Sequence, residues 1–329
     1  MKLSDFTEDI IVDKIAKILV EKPSWGEHLF YPEDARDVIP RGPRIIYSID
    51  AYTVRSLRLP WRSYADVGWS ALVGALSDVV SKGGIPHACL IALGLNRDMS
   101  LEELEDLLKG FREAADYYGV RILGGDTNES FEAWIAVSVL GFTTARIPPS
   151  RGGLKPGDVI IATGVYGATG FIAKHGVEKA KDVNWVVEKT RRPRIHVEVA
   201  HVVENFYKAI TASMDVSDGL GYTLLTMSRL SESGIHLKQP PRVYSELYEL
   251  CQGDDLCTLN YALAGGEEYG VVLGVKRDSV QAVVNELEYF EIPYSVIGEV
   301  VETTPGVYFN GKALNVVRYD QFHGWRPSS

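Results

Sequence analysis

The chain has 329 residues, 46 % hydrophobic and 24 % charged, with a formal charge of −10. This is a soluble globular composition long enough for two domains, and its acidity argues against nucleic acid or an anionic membrane as the main partner. The cysteines (Cys89, Cys251, Cys257), outside any Cys-x-x-Cys pair, and the scattered histidines disfavour a disulfide scaffold or zinc site and fit a reducing compartment.

Residues 4–20 read as a helix, with Ile10, Ile11, Ile15 and Ile18 on one side. A Pro-containing loop carries Glu33, Asp34 and Asp37, and a strand over 44–50 ends at Asp50. A helix over 64–81 and a strand over 87–95 follow. Ser100 and Glu103 form a capping box, each able to satisfy the other's free amide, for a helix that runs to Tyr118 and stops at Gly119. Strands over 120–123 and 132–143 come next, and those over 44–50 and 132–143 read as edge strands that need covering. The Pro- and Gly-rich segment 146–157 divides a domain of residues 1–148 from one of 149–329. Beyond it lie a strand over 158–162, a Gly-rich turn (Gly164, Gly167, Gly170) and helices to about residue 207. A further helix opens at Asp218 or Gly219, a strand spans 269–275 and a helix 278–289. Short strands with turns such as Asn310-Gly311 end the chain. Helices and strands alternate in both halves, so the fold class is α/β or α+β. The start of the chain lacks a signal-peptide core and no apolar run reaches membrane-spanning length, so the expected location is the cytoplasm.

Two acidic knots stand out, Gly124-Gly125-Asp126-Thr127 after Val120–Leu123, and Asp215-Val216-Ser217-Asp218-Gly219-Leu220 after an apolar run. Aspartates beside glycines, where a strand gives way to a turn, present oxygen atoms and bare backbone to one opening. Hard cations such as Mg²⁺ take oxygen ligands shared with phosphates, so the two knots suggest one metal–nucleotide site. Asp34, Asp50 and Asp78 also sit near element ends. Each carboxylate alone is explained by helix capping or turn formation. Converging carboxylates repel by about 4 kcal/mol per pair at 4 Å and an effective dielectric of 20, which a divalent cation removes. Gly164–Gly170 follows neither phosphate-loop nor dinucleotide spacing and reads first as a strand-to-helix turn. Gly265-Gly266-Glu267-Glu268-Tyr269 is either a tight turn or a substrate loop.

Taken in order, these segments resemble the ATP-dependent superfamily of aminoimidazole ribonucleotide synthetase, selenophosphate synthetase, the E-type hydrogenase maturation protein and, most of all, thiamine-monophosphate kinase. The resemblance rests on Asp66-Val67-Gly68-Trp69, Leu76-Ser77-Asp78, Gly124–Thr127, Arg151-Gly152-Gly153-Leu154, Asp215–Leu220, Gly265–Tyr269 and Tyr319-Asp320-Gln321-Phe322. It implies a two-domain aminoimidazole ribonucleotide synthetase-like fold, dimerised through the N-terminal domain, with ATP between the domains and Mg²⁺ held by aspartates. The implied metal ligands are Glu33, Asp34, Asp50, Asp78, Asp126, Asp215 and Asp218, with Asp126, Asp215 and Asp218 also catalytic. Gly124, Gly125, Thr127, Arg151 and Ser217 would meet the nucleotide, and Glu267, Glu268 and Tyr319 the substrate. The implied reaction is phosphorylation of thiamine monophosphate to thiamine diphosphate by ATP. The chain departs from the pattern at Pro32, Arg36 and Ala75, and Val54-Arg55-Ser56-Leu57-Arg58 lacks the kinases' histidine. The alternatives are a ligase of the same superfamily and a nucleotide-binding homologue without catalysis.

Overall fold

A computed structural model describes the protein except for Asp34 and residues 321–323 and 328–329; for 317–320 and 324–327 it describes the backbone alone. The chain divides into two compact units, Met1–Val79 with Gly84–Thr144, and Val80–Gly83 with Ala145–Ser329.

The first unit is built on a four-stranded sheet of β1 (Arg44–Thr53), β2 (Ile85–Leu95), β3 (Arg121–Glu129) and β4 (Trp134–Thr143), in the order β1-β4-β2-β3. Only β2 and β3 pair in parallel. Its helices are α1 (Glu8–Leu19), the single turn α2 (Val54–Leu57), α3 (Tyr64–Ser81) and α4 (Leu101–Tyr118). Leu72, Leu76, Leu104, Leu108 and Phe111 from α3 and α4 are fully buried, as are Ile122 and Ile135 of the sheet. The α4 boundaries follow local chemistry. Ser100 Oγ accepts from Glu103 N at 3.1 Å, Glu103 Oε2 accepts from Ser100 N at 2.8 Å, and Gly119 takes the left-handed conformation at φ 65°.

Two sequence expectations are corrected. The strand expected to stop at Leu123 runs to Glu129, because parallel pairing with β2 continues to Leu95↔Glu129. The Gly124–Thr127 knot is therefore strand, not turn. β4 is an interior strand paired on both sides, not an edge; the edges are β1 and β3.

The second unit holds a seven-stranded sheet in the order β11-β10-β7-β9-β5-β8-β6. Its strands are β5 (Val159–Thr163), β6 (Ile210–Asp215), β7 (Gly234–Leu237), β8 (Val271–Val275), β9 (Tyr294–Val301), β10 (Gly306–Phe309) and β11 (Lys312–Ala313). β12 (Val317–Asp320) and β13 (Gly324–Pro327) form a separate hairpin. The helices are α5 (Ala168–His175), α6 (Val177–Ala180), α7 (Asn184–Arg191), α8 (Val199–Asn205), α9 (Leu220–Leu230), α10 (Ser245–Leu250), α11 (Asp255–Ala262) and α12 (Val280–Tyr289). One core joins Ile160, Met214, Leu220, Leu224, Ile235, Leu259, Val272 and Ile297. Asn310 and Gly311 turn β10 into β11 with φ of 50° and 75°, the positive pair that a two-residue hairpin turn requires.

A third correction concerns the cysteines. Cys251 and Cys257 are joined by a disulfide across the short connection between α10 and α11, where chain reversal brings their Cα atoms to 5.6 Å. Cys89 is a buried thiol whose pKa burial pushes up to about 12. Among the described residues no helix is long and apolar enough to cross a membrane.

Candidate active site

In the first unit, a cavity of about 810 Å³ opens between α1 and one face of the sheet. Glu33, Arg36, Gly124, Gly125, Asp126 and Thr127 line it, with Tyr47, Ile49 and Ser138. Gly125 has no room for a side chain: a Cβ there would lie 1.6 Å from Ile91 O. Bare backbone thus reaches the cavity because β2 presses against it. Asp126 is exposed, and its Oδ2 accepts from Asn128 Nδ2 at 2.8 Å.

Asp50 and Asp78 belong to the other face. Side chains alternate along β1, with Ile45, Tyr47 and Ile49 exposed and Ser48 and Asp50 half-buried. Ser48 Oγ donates to Asp78 Oδ2 at 2.7 Å, and Tyr52 Oη donates to Asp50 Oδ2 at 2.9 Å. The register Ala51↔Ala136, Ala136↔Ala92 and Ala92↔Asp126 puts Asp126 in the row of Ala51, one residue from Asp50 and so on the opposite face. The first unit thus separates Asp50 and Asp78 from Glu33 and Asp126. Asp34 and the Tyr319 side chain lie outside the described residues.

In the second unit three motifs far apart in sequence converge. Glu267 N donates to Ser217 O at 2.8 Å, Tyr269 N to Val216 O at 3.0 Å, and Val216 N to Gly270 O at 2.8 Å. The 265–269 loop is thereby fastened along the Asp215–Leu220 knot. Gly265, at φ 85°, abuts the Gly164–Gly170 turn so closely that a Cβ would sit 2.4 Å from Gly170 N. Glu267 and Tyr269 hold φ of 60° and 41° without being glycines, a conformation costing of order 1–3 kcal/mol each. Such strain persists only where the surrounding contacts enforce it.

Asp215 is buried at the end of β6, with Arg151 Nη2 4.0 Å from its Oδ1. Ser217 is half-buried and Asp218 exposed. Asp218 does not cap α9; that position belongs to Gly219, at φ 108°. Glu268 turns inward. Its Oε1 accepts from Gly167 N at 2.8 Å and Thr169 N at 3.2 Å, closing the start of α5. Part of the residue reaches solvent, but Oε2 is buried without a hydrogen-bond partner. Burial pushes the Glu268 carboxyl up to about 8 against the pull of those amides. The Gly164–Gly170 turn thus joins β5 to α5, and Glu268 already takes two of its amides.

Sequence reading missed several contributors. Glu27, paired with Arg121 at 2.6 and 2.8 Å, holds the loop that delivers Glu33 and Arg36. Neither residue has a local signature, since the pair is 94 positions apart. The exposed row Ile45, Tyr47, Ile49 was legible as alternation. Arg55, beside Glu132 at 3.3 Å, and Arg58, over the Tyr64 ring at 4.0 Å, are engaged within the first unit.

The donor set is compatible with Mg²⁺, since every candidate ligand is a carboxylate oxygen. Among the described residues no three acidic, His or Cys side chains form a ready cluster.

Residues 33–143 match the N-terminal domain, and residues 155–309 the C-terminal domain, of AIR synthase related proteins. The thiamine-monophosphate kinase of Pyrobaculum calidifontis is 27 % identical over 281 residues, 85 % of this chain and 88 % of that one. The crystal structure of thiamine-monophosphate kinase from Stenotrophomonas maltophilia superposes with a TM-score of 0.78 at 24 % identity, over 95 % of this chain and 99 % of that one. A structure of AaThiL complexed with AMPPCP and TMP gives a TM-score of 0.70 at 24 % identity, over 95 % and 96 % of the two chains.

Proposed function

The chain belongs to the AIR synthase related protein family, and we propose that it uses Mg²⁺-ATP to phosphorylate thiamine monophosphate to thiamine diphosphate. The observation carrying this reading is the likeness to a thiamine-monophosphate kinase along 85 % of the chain, with the acidic and glycine motifs in order. The AMPPCP and TMP in the AaThiL complex are the nucleotide analogue and acceptor this reading calls for.

The residues fit the chemistry. In phosphoryl transfer the protein mainly positions two anions and balances their charge. Mg²⁺ ions, when bound, neutralise phosphate oxygens; their proposed holders are Glu33, with its sequence neighbour Asp34, and Asp126 at the cavity of the first unit, Asp50 and Asp78 on the other face of that sheet, and Asp215 and Asp218 in the second unit. Gly124, Gly125 and Thr127 line the cavity, where they would meet the phosphate chain of the nucleotide. Arg151 supplies positive charge beside Asp215. The strained 265–269 loop keeps Ser217 and Glu267 in one arrangement through the 2.8 Å bond between their backbones. Glu268 acts by closing the start of α5, and Tyr319 meets the substrate.

A homodimer formed through the first unit belongs to the same reading. Its support is the edge strand β1, whose Ile45, Tyr47 and Ile49 are 53 %, 65 % and 63 % exposed, an apolar row suited to a second copy. The boundary at residues 148/149 and a cytoplasmic location complete the proposal.

The test is chromatography of thiamine diphosphate after incubation with Mg²⁺-ATP and thiamine monophosphate, with ADP followed in parallel. Equimolar ADP and diphosphate are expected. Nucleotide binding without diphosphate would remove the acceptor from the reading.

A further inference from the structure

We propose that Arg36 binds a phosphoryl oxygen in the cavity of the first unit, as a substrate-binding residue beside the Gly124–Thr127 strand. Arg36 is the one cation among the described residues lining that cavity; Glu8, Glu33 and Asp126 give the rest of its lining a negative charge. A site that must receive a polyanion needs an opposing charge, and a guanidinium fork matches phosphate geometry.

The position is held from several sides. Arg36 Nη1 donates to Glu21 O at 3.1 Å and to Leu123 O at 2.8 Å, and Leu123 immediately precedes Gly124. The loop carrying it is pinned by Glu27 on Arg121 and by Asp37, which accepts from His28 N at 2.9 Å and Leu29 N at 2.8 Å. The remaining donors are unused: Nε and Nη2 are buried and have no hydrogen-bond partner. Buried donors without partners are costly, and a strut between two carbonyls needs only Nη1. Both are closed to water, so contact requires the guanidinium to turn into the cavity.

The anion site stands on this geometry; the identity of its phosphate rests on the kinase reading. Two measurements separate them. In metal-free buffer with chelator, millimolar pyrophosphate should raise the melting temperature of the native protein by about 2 °C or more. Arg36→Gln should lose that shift and Arg36→Lys should keep part of it. In turnover assays Arg36→Gln should raise one KM by about tenfold while kcat stays within about threefold. A rise for ATP assigns the oxygen to the nucleotide, a rise for thiamine monophosphate to the acceptor. An equal pyrophosphate shift in native protein and both variants, or none in any, overturns the proposal and leaves Arg36 as a strut. If the native protein makes no thiamine diphosphate but shows an Arg36-dependent pyrophosphate shift, the kinase reading fails and the anion site stands.

Discussion

The two units hold their acidic motifs in opposite ways. In the second, two distant segments are stitched together by backbone hydrogen bonds, a third is tied to them through the Glu268 carboxylate, and Asp215 is 1 % exposed. In the first, the candidate carboxylates are spread over both sheet faces and accept side-chain hydrogen bonds, from Ser48 to Asp78, Tyr52 to Asp50 and Asn128 to Asp126. Asp215 is buried in its frame, whereas Asp50 and Asp78 are half-buried and Asp126 is exposed.

The largest effect that tests this contrast is catalytic. Asp215→Asn and Asp126→Asn should each lower thiamine diphosphate formation by about 10²–10³-fold, the scale of a lost electrostatic contact in the transition state. Circular dichroism should show both folds intact. Near-normal turnover in Asp126→Asn would confine the essential chemistry to the stitched unit. Next comes the frame itself. Gly265→Ala places a Cβ against Gly170 N at a left-handed φ, so calorimetry should find the protein destabilised by about 2–4 kcal/mol. An unchanged melting temperature would mean the frame is looser than its contacts.

Reduction of Cys251–Cys257 follows. The bridge spans only 6 residues of sequence, so chain-entropy arguments give about 2 kcal/mol, read as a lower melting temperature in dithiothreitol. If alkylation and mass measurement find both thiols free in purified protein, the bridge is not part of the native unit.

The smallest effects are in pH, and the units should respond in opposite senses. Glu268 has its pKa raised from 4.5 to about 8, so its contribution is full below pH 4.5 and is lost as pH rises through 8. Glu27 has its pKa lowered from 4.5 to about 2, first by the Arg121 hydrogen bonds, so its contribution is present above pH 4.5 and is lost as pH falls toward 2. Melting curves of Glu268→Gln should lose the alkaline decline, and those of Glu27→Gln part of the acid decline. Glu27→Gln should also cost about 1–3 kcal/mol at neutral pH, the worth of a charged hydrogen bond. Parallel pH profiles for both variants and the native protein would remove the contrast.

Much of the frame was legible because its signals are local. The helix read over 64–81 is α3, and the Ser100–Glu103 box and Gly119 bound α4, since capping and apolar spacing act within a few residues. The knots were visible as composition, yet the first is strand and the Asp218 cap is absent. The halt read at Gly124-Gly125 failed because β2 supplies hydrogen-bond partners that no local rule can see.

The sequence alone thus determined the alternation of elements, the order of the acidic and glycine motifs and, through them, the superfamily. Only the tertiary structure decided that Asp50 and Asp126 face opposite ways, that Glu268 points inward, that Cys251 meets Cys257 and that Arg36 stands in an acidic cavity. Those facts depend on strand register and chain reversal, which are set by pairing between distant segments. A shift of one residue in any strand would have exchanged the two faces.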